Sequence, residues 1–136
     1  MTSTYQTQGW GLTGTTACGD ADTWQYHFVK GAETAKRFEI STGASGPTPI
    51  GVAQNDPRSG QPINVKVAGG TLVYADASTG IEYLDWITSG SDGQAVKASG
   101  STVHGFALEA VSTGASILME AMLLGPQQSA IIDNTP

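Results

Sequence analysis

Residues 50–65, IGVAQNDPRSGQPINV, return as residues 104–119, HGFALEAVSTGASILM, and this pair decides the fold. Aligned without gaps at an offset of 54, Gly51 falls on Gly105, Val52 on Phe106, Ala53 on Ala107, Ser59 on Thr113, Gly60 on Gly114, Ile63 on Ile117 and Val65 on Met119. Each copy reads as a short strand opened by Gly, a polar turn closed by Ser/Thr-Gly, and a second strand with alternate residues apolar. In the first copy Ile63, Val65 and Val67 share one side of the strand, and Asn64, Lys66 and Ala68 the other. Two such hairpins facing each other would close a small barrel and leave few exposed edges. The run ILMEAMLL at 117–124 holds helix formers, but its alignment with the β-branched first copy predicts a strand. The fold class expected is all-β, with a compact barrel.

Working outward, Gly69-Gly70 predicts a tight turn into a further strand, TLVYA at 71–75. On the N-terminal side, Trp24, Tyr26 and Phe28 alternate with Gln25, His27 and Val29, the period of a half-buried strand with His27 outward. A return strand over 37–41 turns Phe38 and Ile40 inward, and STGASGPTP at 41–49 is turn chemistry throughout. IEYLDWI at 81–87 alternates poorly, placing Ile81, Tyr83, Asp85 and Ile87 on one face, and 94–98 is a short strand. Residues 1–22 are rich in Thr, Ser, Gln and Gly, with Tyr5, Trp10 and Leu12 as the large apolar side chains and no period of either kind. The expected organisation is an extended N-terminal arm over 1–22 and a single β domain over 23–136. Held by nothing, the arm would lie loose, so it requires either a neighbouring subunit or packing on its own domain through Trp10.

Composition narrows the function. With 39% hydrophobic and only 13% charged residues, and 18 glycines, the chain has the makeup of short strands, tight turns and surfaces that another chain covers. The net charge of −6 and the scattering of the six basic residues argue against nucleic acid, whose phosphates need clustered Lys and Arg. No apolar run is long enough to span a bilayer, and no basic start precedes an apolar stretch, so neither a membrane nor a cleaved leader is expected. Cys18, the single cysteine, forms no intramolecular disulfide and no Cys-rich metal site, so no cofactor or metal is expected.

Catalytic constellations are thin. His27 and His104 are the two histidines, and no elbow motif brings a serine to either. Asp20 and Asp22 resemble the start of a calcium loop but lack its Gly and closing Glu. Glu82, Asp85, Glu109 and Glu120 form a pool from which a carboxylate pair could be drawn, yet Glu109 sits where the other copy has Asn55, which favours a turn role. Asn55-Asp56-Pro57 is a turn signal. The expectation is no enzyme, with no catalytic residues.

The segment IGVAQNDPRSGQPINVKVAGGTLVYA and the later HGFALEAVSTGASILMEAML resemble the small capsid decoration proteins of tailed phages and prophages, and are similar to the lambdoid head-stabilising protein. The resemblance covers roughly residues 49–124. It implies a β-tulip or barrel-like core, a homotrimer at threefold and quasi-threefold positions of the head, and an N-terminal arm reaching onto the major capsid protein. It further implies a location on the outer capsid surface of the virion after synthesis in the host cytoplasm, and a cement role against the pressure of packaged DNA. Tyr5, Trp10 and Leu12 are the candidate capsid-binding residues, because aromatic side chains dominate interface energetics. The rival reading is a virion-associated or secreted β-fold module for carbohydrate or host surface, with Trp24, Trp86 and Tyr83 as a stacking platform.

Overall fold

The computed structural model describes residues 10–16, 24–31, 37–43, 48–58, 61–76, 78, 80–99, 102–114 and 116–125. Among them are nine strands and no α-helix: β1 Trp10–Thr16, β2 Phe28–Gly31, β3 Arg37–Ile40, β4 Gly51–Ala53, β5 Pro62–Asp76, β6 Trp86–Ser89, β7 Ala95–Lys97, β8 Gly105–Ala107 and β9 Ser116–Leu124. The all-β expectation is met, and residues 117–124 are strand.

The strands close twice. β1, β3, β2, β4 and β5 form one ring in that order, β5 returning to β1, and β5, β7, β6, β8 and β9 form a second, β9 returning to β5. Each repeated hairpin thus belongs to its own barrel, instead of the two facing across one, and β5 serves both. In each ring the first strand runs parallel to the third and antiparallel to the fifth: β1 beside β3 and β5, and the second half of β5 beside β7 and β9. The duplication therefore embraces five strands, with β2 answering β6, β3 answering β7, β4 answering β8, and the first half of β5 answering β9.

Register confirms the correspondence residue by residue. Phe28 opposes Val52 and Val29 opposes Gly51 in the first barrel, as Trp86 opposes Phe106 and Ile87 opposes Gly105 in the second. Tyr26 (φ 65°) donates its N–H to the Ala53 carbonyl at 2.7 Å, and Leu84 (φ 70°) donates to the Ala107 carbonyl at 2.8 Å. These are the two described non-glycine residues in the left-handed region, a conformation that costs roughly 1 kcal/mol, and they occupy the same place in the two units. The gapless alignment fails in one respect: Val52 opposes Lys66 but Phe106 opposes Met122, so the second turn is longer by two residues. An even shift keeps the inward set inward. Ile63, Val65 and Val67 accordingly match Met119, Ala121 and Leu123, all buried in their barrels.

Two cores result. The first holds Trp24, Val29, Phe38, Ala53, Ile63, Val65 and Val67. The second holds Ile87, Ala95, Ala107, Met119, Ala121 and Leu123 with Val73, Ala75, Ile81 and Val111, and it also takes in Phe28 and Val52. Those last two directly adjoin Val29 and Ala53, which belong to the first core, so they face out of the first barrel and are buried by the second. Each large side chain so enclosed contributes roughly 1.5–3 kcal/mol.

Three local expectations are corrected. Gly69-Gly70 is not a hairpin turn: β5 passes through it unbroken, about 50 Å long at the usual rise, and Gly69 at φ 103° lets the strand redirect from one barrel to the other. The strand expected from Trp24 starts only at Phe28, because residues 24–27 form a turn, and His27 is buried against Tyr74 with ring centroids 5.2 Å apart. Residues 81–87 divide into a bridge from Ile81 to Val111, a turn at Tyr83 and Leu84, and the start of β6. Trp10 and Leu124 both register on Ala68, so the chain enters β1 and leaves β9 at the junction of the barrels.

Candidate functional site

The candidate attachment residues divide. Tyr5 lies outside the described residues, as do Cys18, Asp20 and Asp22. Trp10 and Leu12 belong to β1, their backbones opposite Ala68 and Val65 of β5, so the described part of the N-terminal segment is a strand of this chain's own first barrel.

The rival stacking platform also divides. Trp24 is fully buried, its backbone N–H donated to the Asp56 carboxylate at 2.8 Å, and offers no surface. Tyr83 and Trp86 are exposed, at 63% and 50%. Trp86 meets Phe106 edge-on, centroids 5.9 Å apart. This follows from the pairing of β6 with β8, since directly opposed residues share a face. Phe106 in turn opposes Met122. An apolar row thus crosses three strands of the second barrel, with Leu84 half exposed beside it. Sequence reasoning flagged Trp86 and Tyr83 but not Phe106 or Met122, because only the register joins them.

Polar groups in the same barrel are engaged in turns. The Asp85 carboxylate accepts the Glu82 N–H at 2.8 Å and lies 3.4 Å from the Lys97 ammonium. The Glu109 carboxylate accepts the Glu120 N–H at 2.8 Å, just as the Asn55 side-chain oxygen accepts the Asn64 N–H at 2.9 Å, which is the turn role expected. A shallow groove of about 240 Å³ opens at the barrel mouth between Glu82, Lys97, Ser112 and Thr113 over a floor of Ile81 and Val111. No three His, Cys, Asp or Glu residues converge among the described residues.

His104 is buried between the barrels, a ring nitrogen 3.0 Å from the Thr88 hydroxyl and its ring 5.6 Å from that of Phe28. Burial pushes its pKa down to about 4, so the imidazole is neutral at physiological pH. Lys66 is the buried counterpart of Met122. Its ammonium donates to the Gly70 carbonyl at 3.2 Å, and burial lowers its pKa.

Comparison with known proteins gives the context. Residues 12–124 match the family model described as head fiber protein. Among solved structures, the chain is similar to the N base of head fiber gp8.5 in bacteriophage phi29, at 25% identity and a TM-score of 0.60 over 88% of this chain and 98% of that one. No curated protein matches. The expectation of a phage head accessory protein is thereby supported through head fibers, while the lambdoid likeness rests on the sequence reading alone. The match runs from within β1 to the end of β9 and so takes in both barrels, and the chain belongs to the phage head fiber protein family.

Proposed function

We propose that this protein decorates the outer surface of a tailed-phage head, binding the major capsid protein lattice as a homotrimer at threefold and quasi-threefold positions and stabilising the head against the pressure of packaged DNA. The observation that carries the reading is the family match over residues 12–124, nearly the whole described body. The closed barrels support it: they leave few strand edges on the body, so attachment falls to faces and to the segment that precedes β1. Tyr5 on that segment and Trp10 and Leu12 at the start of β1 are the anchors. Three such segments engaging together make the second and third attachments intramolecular, so modest single contacts give high avidity. The role is structural, with no catalysis, cofactor, nucleic acid or membrane.

The test removes residues 1–9, which precede β1, and separately makes Trp10→Ala, with capsids lacking this protein as the binding target. Both variants are expected to keep the β circular dichroism of the parent and to lose co-sedimentation with capsids. Undiminished binding by the truncated chain refutes the attachment.

A further inference from the structure

The duplication sets the mouths of the two barrels side by side. In the first barrel Trp24 is fully buried with its N–H held by the Asp56 carboxylate, Pro57 is buried next along the chain, and Ile40 packs against the core. The correspondence of strands carries these places into the second barrel. Tyr26 answers Leu84 and Ala53 answers Ala107, so Trp24 answers Glu82 and Pro57 answers Val111. Val29 opposes Ile40 as Ile87 opposes Lys97, so Ile40 answers Lys97. Where the first barrel has an indole and an aliphatic chain, the second has a carboxylate and an ammonium, and its mouth is the open groove of about 240 Å³ over Ile81 and Val111. Among the described residues the Glu82 carboxylate and the Ser112 and Thr113 hydroxyls have no hydrogen-bond or ion-pair partner, while the Lys97 ammonium is 3.4 Å from the Asp85 carboxylate.

We propose that this groove binds one ring of a neutral sugar. A carboxylate only accepts hydrogen bonds, an ammonium only donates them, and the Ser and Thr hydroxyls do both, so a ligand that meets all of them must donate and accept through the same groups. Hydroxyls are such groups. Charges of both signs stand at the rim, which favours a neutral ligand over an anion or a cation. The floor of Ile81 and Val111 is apolar and gives the C–H face of a ring a surface to cover. The groove has the volume of about eight waters at roughly 30 Å³ each, below the roughly 300–1,000 Å³ of pockets that enclose drug-sized molecules. One ring fits it, and the rest of an oligosaccharide would lie outside. Tyr83, 63% exposed, directly follows Glu82 and offers an aromatic face to that remainder. The turn that carries Ser112 and Thr113 leads into Ser116, opposite Asp76, roughly 25 Å of strand from Ala68, on which Trp10 registers. A body held at Trp10 therefore keeps this mouth free.

The experiment is an amide chemical-shift titration of the full chain by NMR. The probes are the methyl glycosides of glucose, galactose and N-acetylglucosamine, with glycerol phosphate and spermidine as the anionic and cationic controls. At least one glycoside is expected to bind saturably at millimolar concentration, with shifts centred on residues 80–83, 97 and 110–113. Glu82→Ala removes the unpartnered carboxylate and is expected to weaken that binding at least tenfold. Ser112→Trp fills the groove with an indole, as Trp24 fills the first mouth, and is expected to abolish it. Both positions are exposed, so amides remote from the groove should keep the parent's spectrum. Absence of saturable shifts with all three glycosides, shifts centred elsewhere, stronger binding of glycerol phosphate or spermidine at these residues, or glycoside binding that survives both substitutions overturns the proposal.

Discussion

His104 occupies the place that Ile50 holds in the first barrel, and its imidazole is enclosed where the aliphatic chain was. A histidine so placed couples the fold to pH. The unfolded chain takes up a proton near 6.5 and the folded chain only near 4, so the folded state binds fewer protons in between. The stabilisation is whole above pH 6.5 and is lost as pH falls toward 4, a loss of about 3 kcal/mol. Denaturant titrations at pH 7 and pH 4.5 should show this fall in the parent, and His104→Leu should flatten it. An unchanged slope in the variant would assign the acid sensitivity elsewhere. Nothing in the sequence around His104 announces the burial. It comes from Phe28 and Thr88, which are remote along the chain and adjacent only after the barrels meet.

The hairpins β4–β5 and β8–β9 each begin with a glycine whose absent side chain matters. A Cβ on Gly51 would strike the Lys66 carbonyl oxygen, and one on Gly105 the Met122 carbonyl oxygen, because the opposed strands cross closely there. Gly51→Ala and Gly105→Ala are each expected to destabilise by about 2 kcal/mol or more, whereas Gly31→Ala, whose Cβ meets only the Ile50 side chain at 3.7 Å, should stay within about 0.5 kcal/mol. Equilibrium unfolding in denaturant distinguishes these outcomes. The two hairpins were legible in the sequence because Gly, the small third residue and the closing Ser/Thr-Gly recur at one spacing. The rest of the duplication was not. β2 and β6 share only backbone geometry, Tyr26 and Leu84 in the left-handed region with Phe28 and Trp86 behind them, and no residue identity marks it. Gly69-Gly70 misled for a physical reason: the same freedom that builds a hairpin turn also redirects a continuous strand, and only pairing on both halves of β5 separates the cases. For the site, exposed aromatics at 83 and 86 could be suspected from poor alternation, but their join to Phe106 and Met122 needed the register.

The molecule is two barrels that cannot part, since β5 is a wall of each and Phe28 and Val52 of one complete the core of the other. Unfolding should therefore be a single transition. Ile63→Ala in the first core and Met119→Ala in the second should each lower one common midpoint, by about 2–5 kcal/mol in stability. Calorimetry that resolved two peaks, one moved by each substitution, would contradict the shared wall. Trp10, the first residue of β1, and Leu124, the last of β9, both face Ala68 and so lie no farther apart than about two strand spacings, roughly 10 Å. Tension drawn between the segments beyond them is thus carried across one residue of one strand. The load path bypasses both interiors, and a chain held at one end and pulled at the other is gripped at its waist.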